Sequence, residues 1–532
     1  MKLTDYLTKR TDDEVRLRAL HGYFLGTKLG MFGENAEHWT GPRLDIADPD
    51  YTNSLERIKQ NYLVHNLLAS VLTTHVSAVV GREIDWQLKP ENAEASEALT
   101  TWYYRQRVQE TLQDACRTML WATREDDETT AIMRFSIPAK ALDENGQTKA
   151  DGLEPILEDA VRLYHPRPGT AGMLRDDDGE QIAGWYAYSV LNPDTKQIEG
   201  RLELVALDTT FAAQEWDRKD GAQTATGNTV IQILGGLDYA EIVDETNYPL
   251  DGNLTIFELS RRPLITEDVI SQQNGLNTQW TYLNRHSSAS AFLERVILNG
   301  MPPGMWIVDL GQPGTEGLPQ RTTKDGVKQV YVRAPHVTGG GTTSYIGGLP
   351  LPDGGYTNPS VQFRELSSTE PLLANIKAHR EAILELTNQQ HRLIIGDSTA
   401  SGVSRKTALQ DFTASLTPTE TQVKFAVAWL LKTALLLAGH FNGSNRSYLS
   451  TEVDAKVTLW AADPTPEEKR MVIELVKAGL LTTEEGMRQV GVQDTATALA
   501  LVQAEADERH RRALELMQQR TPVASGEVGV TT

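Results

Sequence analysis

The segment 267–298, EDVISQQNGLNTQWTYLNRHSSASAFLERVIL, decides the architecture together with the segment that follows it. It predicts a long helix, with Thr266 as N-cap and acidic residues in the first turn, where carboxylates suit the helix dipole. Residues 300–355 then hold 13 Gly and 7 Pro among 56 positions, against 41 Gly and 23 Pro in all 532. Such a density of turn formers predicts a loop-rich excursion, with a short strand at 328–334.

A second helix is predicted for 369–394, because apolar residues recur there four and three positions apart alternately. The first helix would carry the chain away from the body of the protein, and the second would bring it back. The two would form a stem, and the loop-rich excursion would lie at the end of that stem. His379 interrupts the apolar seam and is expected to be partly buried rather than catalytic. The residues expected to pack in this stem are Leu276, Trp280, Leu283, Ala289, Ala291, Leu372, Ile376, Ile383 and Leu386.

A short loop of glycines and small polar residues follows the second helix, and its composition predicts mobility. The loop consists of Gly396, Asp397, Ser398, Thr399, Ala400, Ser401 and Gly402. A long apolar helix is expected from near Ser404 to Gly439. The segment 417–420, TPTE, combines a capping box with proline at the first helical position, so it predicts a kink or a restart.

The rest of the chain predicts an α+β fold. Helices are expected at 11–25, 53–80, 92–107 and 109–123, and later at 465–479, 482–491 and 496–519. Short runs rich in β-branched and aromatic residues predict strands at 129–137, 154–166, 182–190, 202–210, 228–236, 253–260 and 452–460.

Composition restricts the function. With 51 basic and 72 acidic residues, the net charge of −21 argues against a protein that grips DNA, because such affinity comes from neutralised phosphates. The lone Cys116 excludes an intramolecular disulfide and lies in an apolar helical pattern typical of a buried thiol. The apolar run 425–439 has 15 residues, whereas a membrane span needs about 20, so it predicts a buried core helix and no membrane contact.

Motifs for catalysis are missing from the sequence. There is no phosphate loop, His-Glu-x-x-His helix, nucleophile elbow or Cys-x-x-Cys pair. The cluster at 176–179, DDDG, lacks the ligand spacing of a calcium loop and reads as a solvated turn. We therefore expect no enzyme, cofactor or metal; an acidic glycan hydrolase with paired carboxylates is the remaining enzyme alternative.

The order of elements over 267–441 resembles the portal protein, or head-to-tail connector, of tailed bacteriophages. The segments 57–81 and 465–494 are similar to its early wing helix and its C-terminal helices. The resemblance implies a subunit with a mixed α/β wing (1–266), a two-helix stem (267–299 and 367–395) and a small β-containing clip (300–366). A tunnel loop (396–403), a long kinked wing helix with a strand (404–462), a helical crown (463–520) and a disordered tail (521–532) would complete it.

The same resemblance implies a ring of twelve copies at one capsid vertex, through which DNA enters and leaves without tight binding. The tunnel loop would face the DNA, and the clip would dock the terminase packaging motor and later the head-tail adaptor. The major capsid protein and scaffold are further implied partners. The resemblance also implies that the protein lies in the virion, and in the host cytoplasm during assembly. The clip segment 300–350 has a net charge of +1. Its basic residues are expected either to steer an acidic partner to the clip or to keep the loop soluble. They are Arg321, Lys324, Lys328 and Arg333. Another phage neck or tail protein is the nearest alternative.

Overall fold

The chain divides into two compact units, Met1–Asn277 with Ala378–Thr532 (unit 1) and Thr278–Lys377 (unit 2). The computed structural model describes residues 16–34, 36–41, 51–122, 129–143, 147–175, 181–191, 196, 198–207, 228–235, 239, 241–291, 295–298, 300–301, 304–309, 320–333, 347–348, 355, 357–358, 360–363, 368–394, 402–460, 466–483, 486–487, 490, 498–504, 507–509 and 511–512.

The helices, in chain order, are α1 (16–24), α2 (Lys28–Phe32), α3 (Tyr51–Asn61), α4 (Leu67–Val80), α5 (Ala93–Arg105), α6 (Val108–Met119), α7 (Leu153–Ala160), α8 (Glu267–Ala291), α9 (Glu370–Leu386), α10 (His391–Ile394), α11 (Gly402–Phe441), α12 (Asn445–Tyr448) and α13 (Pro466–Lys477). The division between the two units falls within α8 and within α9.

The strands are β1 (Asp85–Lys89), β2 (Thr129–Ser136), β3 (Arg162–Tyr164), β4 (Ala171–Arg175), β5 (Gln181–Leu191), β6 (Ile198–Leu207), β7 (Thr229–Gly235), β8 (Glu241–Tyr248), β9 (Ile256–Arg261), β10 (Arg295–Leu298), β11 (Gly300–Met301), β12 (Gly304–Val308), β13 (Gln320–Thr322), β14 (Lys328–Arg333), β15 (Gly347–Gly348), β16 (Ser360–Phe363) and β17 (Glu452–Lys456). Several small sheets beside many helices confirm the predicted α+β class.

Unit 1 contains a five-stranded antiparallel meander, β4-β5-β6-β7-β8, and a three-stranded sheet, β3-β2-β9. Ile132, Val205 and Ile256 pack together and join the two sheets. The apolar helix α11 contacts both β9 and the helices α4 and α7. Its segment predicted to be a core helix is buried over most of its length, which confirms that prediction.

The prediction of a single helix over 53–80 is wrong, because five non-helical residues separate α3 from α4. Distant side chains on α8 satisfy the backbone of that break. Gln273 accepts a hydrogen bond from the Leu67 N–H at 3.1 Å and donates to the His65 carbonyl at 2.7 Å. Asn277 accepts from the His65 N–H at 2.9 Å. Because these backbone N–H and C=O groups have side-chain partners, they keep their hydrogen bonds although the chain is not helical there.

The strand expected at 154–166 is wrong in its first half, where the chain forms α7; only β3 remains of it. The apolar residues of α7 recur at helical rather than strand spacing, and all of them are buried: Leu153, Ile156, Leu157 and Ala160.

Both predicted stem helices are shorter than expected. α8 ends at Ala291, and the next described residues form β10, which pairs antiparallel with β16. α9 ends at Leu386, where Asn388 adopts a positive φ of 56°. Gln389 then donates to the Val71 carbonyl at 2.9 Å. These partners are remote in sequence, so local patterns could not reveal either helix end.

α11 is one helix of 40 residues with Pro418 inside it, and it begins at Gly402 rather than near Ser404. The turn beside the proline is tied to its surroundings by the fully buried Thr419. Its hydroxyl lies 3.0 Å from His75 Nε2 and accepts a hydrogen bond from Arg261 at 2.5 Å. Of the two predicted outcomes, a kink or a restart, the restart is wrong, because the helix continues through the proline turn with side-chain support.

The residues predicted to pack in the stem differ in their burial within a single chain. Leu276 and Ile383 are buried, and Trp280, Leu283, Leu372 and Ile376 are half-buried. Leu386 is 46% exposed within one chain, because α9 ends at this residue and its neighbours Leu384 and Thr387 are buried instead. Ala289 and Ala291 have helical backbone, and their side chains lie outside the described residues.

α8 and α9 approach closely at Gly275. A Cβ atom added there would lie 2.5 Å from Cε1 of His379, which is closer than real Cβ contacts allow. His379 is half-buried, as predicted, and its Nδ1 lies 2.7 Å from Gln272 Oε1. Burial lowers the pKa of His379 from its ordinary value. The imidazole of His379 therefore occupies the space that a side chain at position 275 would need, so glycine is required there.

Gly275→Ala should lower the free energy of unfolding by about 1–3 kcal/mol, the usual cost of overpacking. In a His379→Ala background the same change should instead raise stability by up to about 1 kcal/mol, because alanine is the better helix former. Urea unfolding of the four proteins in this double-mutant cycle measures the difference. An equal effect of Gly275→Ala in both backgrounds would contradict the close approach.

Candidate functional site

The described part of the excursion contains an antiparallel sheet in the order β12-β14-β13, which confirms the strand predicted at 328–334. A tight turn joins β13 to β14. The Thr323 N–H donates to the Val327 carbonyl at 2.9 Å, and Gly326 has a positive φ of 78°, which favours glycine. This turn places Lys324 at its corner and Lys328 at the start of β14.

One face of the sheet holds an aromatic cluster that includes Arg321. Trp306 faces Tyr331 across the β12–β14 pair, with ring centroids 5.1 Å apart at 64°. The Arg321 guanidinium carbon lies 4.5 Å from the Trp306 ring centroid, and its Nε donates to Gln329 at 2.8 Å. Such a stacked cation contributes roughly 0.5–1 kcal/mol. Arg321 thus has contacts that hold the sheet, unlike a free surface cation.

The other predicted docking residues differ from Arg321. Lys324 and Lys328 are exposed. Arg333 is the last residue of β14, and its side chain lies outside the described residues. Among the described side chains of the four predicted docking cations, the two lysines are exposed and Arg321 is half-buried.

The opposite face combines a lysine with exposed apolar residues. Because side chains alternate along a strand, Met305, Ile307 and Lys328 share this face with Val330. Met305 is 65% exposed and Ile307 37% exposed, whereas Val330 is fully buried. Neighbouring exposed apolar side chains are a feature of surfaces that dock another protein.

The predicted tunnel loop lies almost wholly outside the described residues. Of its seven positions only Gly402 is described, as the first residue of α11. The helices α10 and α11 precede and follow it. The His391 ring of α10 packs on Phe412 of α11, with centroids 4.5 Å apart.

Sequence reasoning missed a cleft of about 650 Å³ in unit 1, lined by residues of both sheets. Arg134 on β2 and Glu203 on β6 form an ion pair there at 2.5 Å, with both side chains 10% exposed. The Arg134 guanidinium carbon also lies 4.2 Å from the Tyr186 ring centroid, and Tyr188 stacks on Tyr186. No sequence signal could have paired residues 69 positions apart. The pair ties one sheet to the other, and removing one partner would leave a buried charge.

The remaining candidate groups are a thiol, possible metal ligands and an apolar helix. Cys116 is fully buried and its thiol pKa is raised to about 12 by burial, which confirms the predicted structural thiol. Among the described residues, no group of three or more His, Cys, Asp or Glu side chains could hold a metal ion. The segment 176–179 lies outside the described residues. One described helix, Thr407–Phe441, is long and apolar enough to cross a membrane, and 72% of its apolar window is buried in the protein.

No protein-family model matches this chain, and no curated protein matches it either.

Proposed function

We propose that this chain is the subunit of a phage portal ring of twelve copies at one capsid vertex, the channel for DNA packaging and ejection. The observation that carries the proposal is the order of elements from Glu267 to Phe441. Helix α8, the short strands β10 to β16, helix α9 and the 40-residue α11 follow one another. Stem, clip, second stem helix and long wing helix follow in that order in portal proteins.

The charge distribution supports passage of DNA without tight binding. Unit 2 holds eight basic and seven acidic residues, a net charge of +1, which leaves −22 for unit 1. Phosphate neutralisation by Lys and Arg is the main source of DNA affinity, so an acidic body repels the duplex. A channel protein requires such weak contact, because a gripped duplex could not slide.

Exposed apolar residues on α9 support contacts between copies. Leu373 is 49% exposed and Leu386 46% exposed in the single chain. Ring subunits contact one another through two different surfaces repeated by rotation, so each copy must present apolar groups that it cannot bury alone. We propose that both leucines are covered in the ring.

The sheet of unit 2 is the proposed docking surface for the packaging motor during genome entry and for the head-tail adaptor afterwards. Its face with Met305, Ile307 and Lys328 carries the apolar and cationic groups such docking requires. The major capsid protein and scaffold are the proposed partners of the rest of the ring. The protein would act in the virion, after assembly in the host cytoplasm, as a structural protein without catalysis or cofactor.

The glycan hydrolase alternative requires two carboxylates that face a substrate in a cleft. Glu203 and Asp244 both line the cleft of unit 1, but the Glu203 carboxylate is bonded to Arg134. This observation favours a structural use of the carboxylate. Another neck or tail protein remains the nearer alternative, and the assembly size separates a ring of either kind from a monomeric enzyme.

The purified chain should sediment as a particle of about 707 kDa, which is twelve copies of its 58.9 kDa. Light scattering gives the same mass independently of shape. A particle of fewer copies would contradict the twelve-copy ring, and a stable monomer of 58.9 kDa would contradict the proposal in favour of an enzyme.

Replacing Lys324 and Lys328 with Ser should slow association of the ring with its adaptor by between about two- and tenfold at low salt, because exposed charges steer encounter. The difference should shrink at high salt, where screening removes steering. Arg285→Ser with Lys377→Ser is the matched control, since it removes two exposed charges of unit 2 outside the sheet. Equal association rates for the parent and the Lys324/Lys328 variant at low salt would refute steering.

A further inference from the structure

The floor of the cleft in unit 1 is one face of the five-stranded meander. A row of four side chains crosses β5 to β8 on this face, each directly opposite the next: Tyr186, Glu203, Ile233 and Asp244. All four line the cleft of about 650 Å³. Because side chains alternate along a strand, Trp185 lies on the opposite face, where it is buried in a hydrophobic cluster. One face of the sheet thus belongs to a packed core, whereas the other is open over this row.

An arginine and two tyrosines form a stack in the cleft. The rings of Tyr186 and Tyr188 lie nearly parallel, at 11°, with their centroids 5.2 Å apart. The Arg134 guanidinium carbon lies 4.2 Å from the Tyr186 ring centroid. Both tyrosines line the cleft and are half-buried, so part of each side chain remains accessible. Planar heteroaromatic molecules bind to such side chains by stacking.

Two buried polar atoms of the lining have no hydrogen-bond partner in the part of the chain that the structure describes. Arg134 donates from Nη2 to Glu203 at 2.5 Å, but its Nε has no acceptor. Thr255 Oγ1 has no partner either. Arg134 is 9% exposed and Thr255 2% exposed, and buried polar groups in proteins are almost always hydrogen-bonded. A bound molecule or ordered water would supply the missing partners.

The charges of the lining favour a neutral ligand. The described lining includes two cations and two carboxylates, whose formal charges cancel: Arg134, Arg167, Glu203 and Asp244. His165 adds no charge near pH 7, because burial lowers the pKa of its imidazole. The remaining lining includes apolar side chains such as Ile231 and Leu437. Apolar and aromatic walls with a few polar groups are typical of sites for small molecules.

We infer that this cleft binds a neutral, planar heteroaromatic molecule with a ring carbonyl, of the size of a nucleoside. Its ring would stack on the Tyr186–Tyr188 pair, and its carbonyl oxygen would accept a hydrogen bond from Arg134 Nε. The Thr255 hydroxyl would bond a second polar atom of the ligand. Because neighbouring groups cover both protein atoms, small rotations of the Arg134 and Thr255 side chains accompany binding. The site belongs to unit 1 alone and does not depend on ring formation.

The test is isothermal titration calorimetry of the purified chain with inosine, a neutral purine nucleoside with a ring carbonyl. The control ligand is purine riboside, which keeps the purine ring and the ribose but lacks the carbonyl oxygen. We expect inosine to bind about tenfold more tightly, because a hydrogen bond from a charged donor is lost in the control. Equal affinities would overturn the assigned carbonyl contact. Binding of neither nucleoside would show that water completes the cleft and would overturn the proposal.

A variant without the Thr255 hydroxyl separates ligand binding from a structural role. Thr255→Val should weaken inosine binding by about five- to tenfold without lowering the free energy of unfolding, because the lost hydroxyl has no described partner within the chain. Thr433→Val is the matched control, since its hydroxyl is also buried without a described partner but lies on α11 outside the cleft lining. This control should keep the parent's affinity. Parental affinity in Thr255→Val would overturn the proposal.

A second pair of variants tests the place of binding. Ile233→Trp adds a large ring to the floor of the cleft and should abolish inosine binding. Ile242→Trp, at an exposed position of β8 outside the lining, should leave the affinity unchanged. Circular dichroism and urea unfolding establish that both variants are folded before the titration. Parental affinity in folded Ile233→Trp would place inosine elsewhere on the protein and would overturn the proposal.

Discussion

Burial of α11 is the constraint on which the rest of unit 1 depends. From Val423 to Ala438 the helix is apolar on most sides, and a helix of that kind is stable in water only when other elements surround it. Each fully buried leucine contributes roughly 1.5–3 kcal/mol. Trp429 shows how the surrounding elements are attached: its ring stacks on Phe257 of β9, and its Nε1 donates to the Leu254 carbonyl at 2.8 Å.

Polar side chains that are distant in sequence determine where helices break or end against the local sequence pattern. The pattern of apolar residues predicted α5, α6 and the central strands, because these elements bury a regular face of their own. It missed the break before α4, which depends on Gln273 and Asn277 more than 200 residues later. It also missed the end of α9, where Gln389 bonds α4. Periodicity carries no information about such polar partners.

The candidate sites also include some features that the sequence predicted and others that only the structure reveals. Composition identified the turn-rich segment and its cations, but only the sheet register reveals that Arg321 stacks on Trp306 while Lys324 and Lys328 are exposed. The Arg134–Glu203 pair arises from two sheets that meet in space, so residue spacing could not predict it. What the sequence did predict was the order of elements, and that order supports the proposed portal ring.

Electron microscopy of the purified particle tests the proposed ring most directly, because a portal is defined by its channel. The account predicts top views with rotational symmetry and a central opening wide enough for a DNA duplex. Compact particles without an opening, or open filaments of the chain, would contradict it.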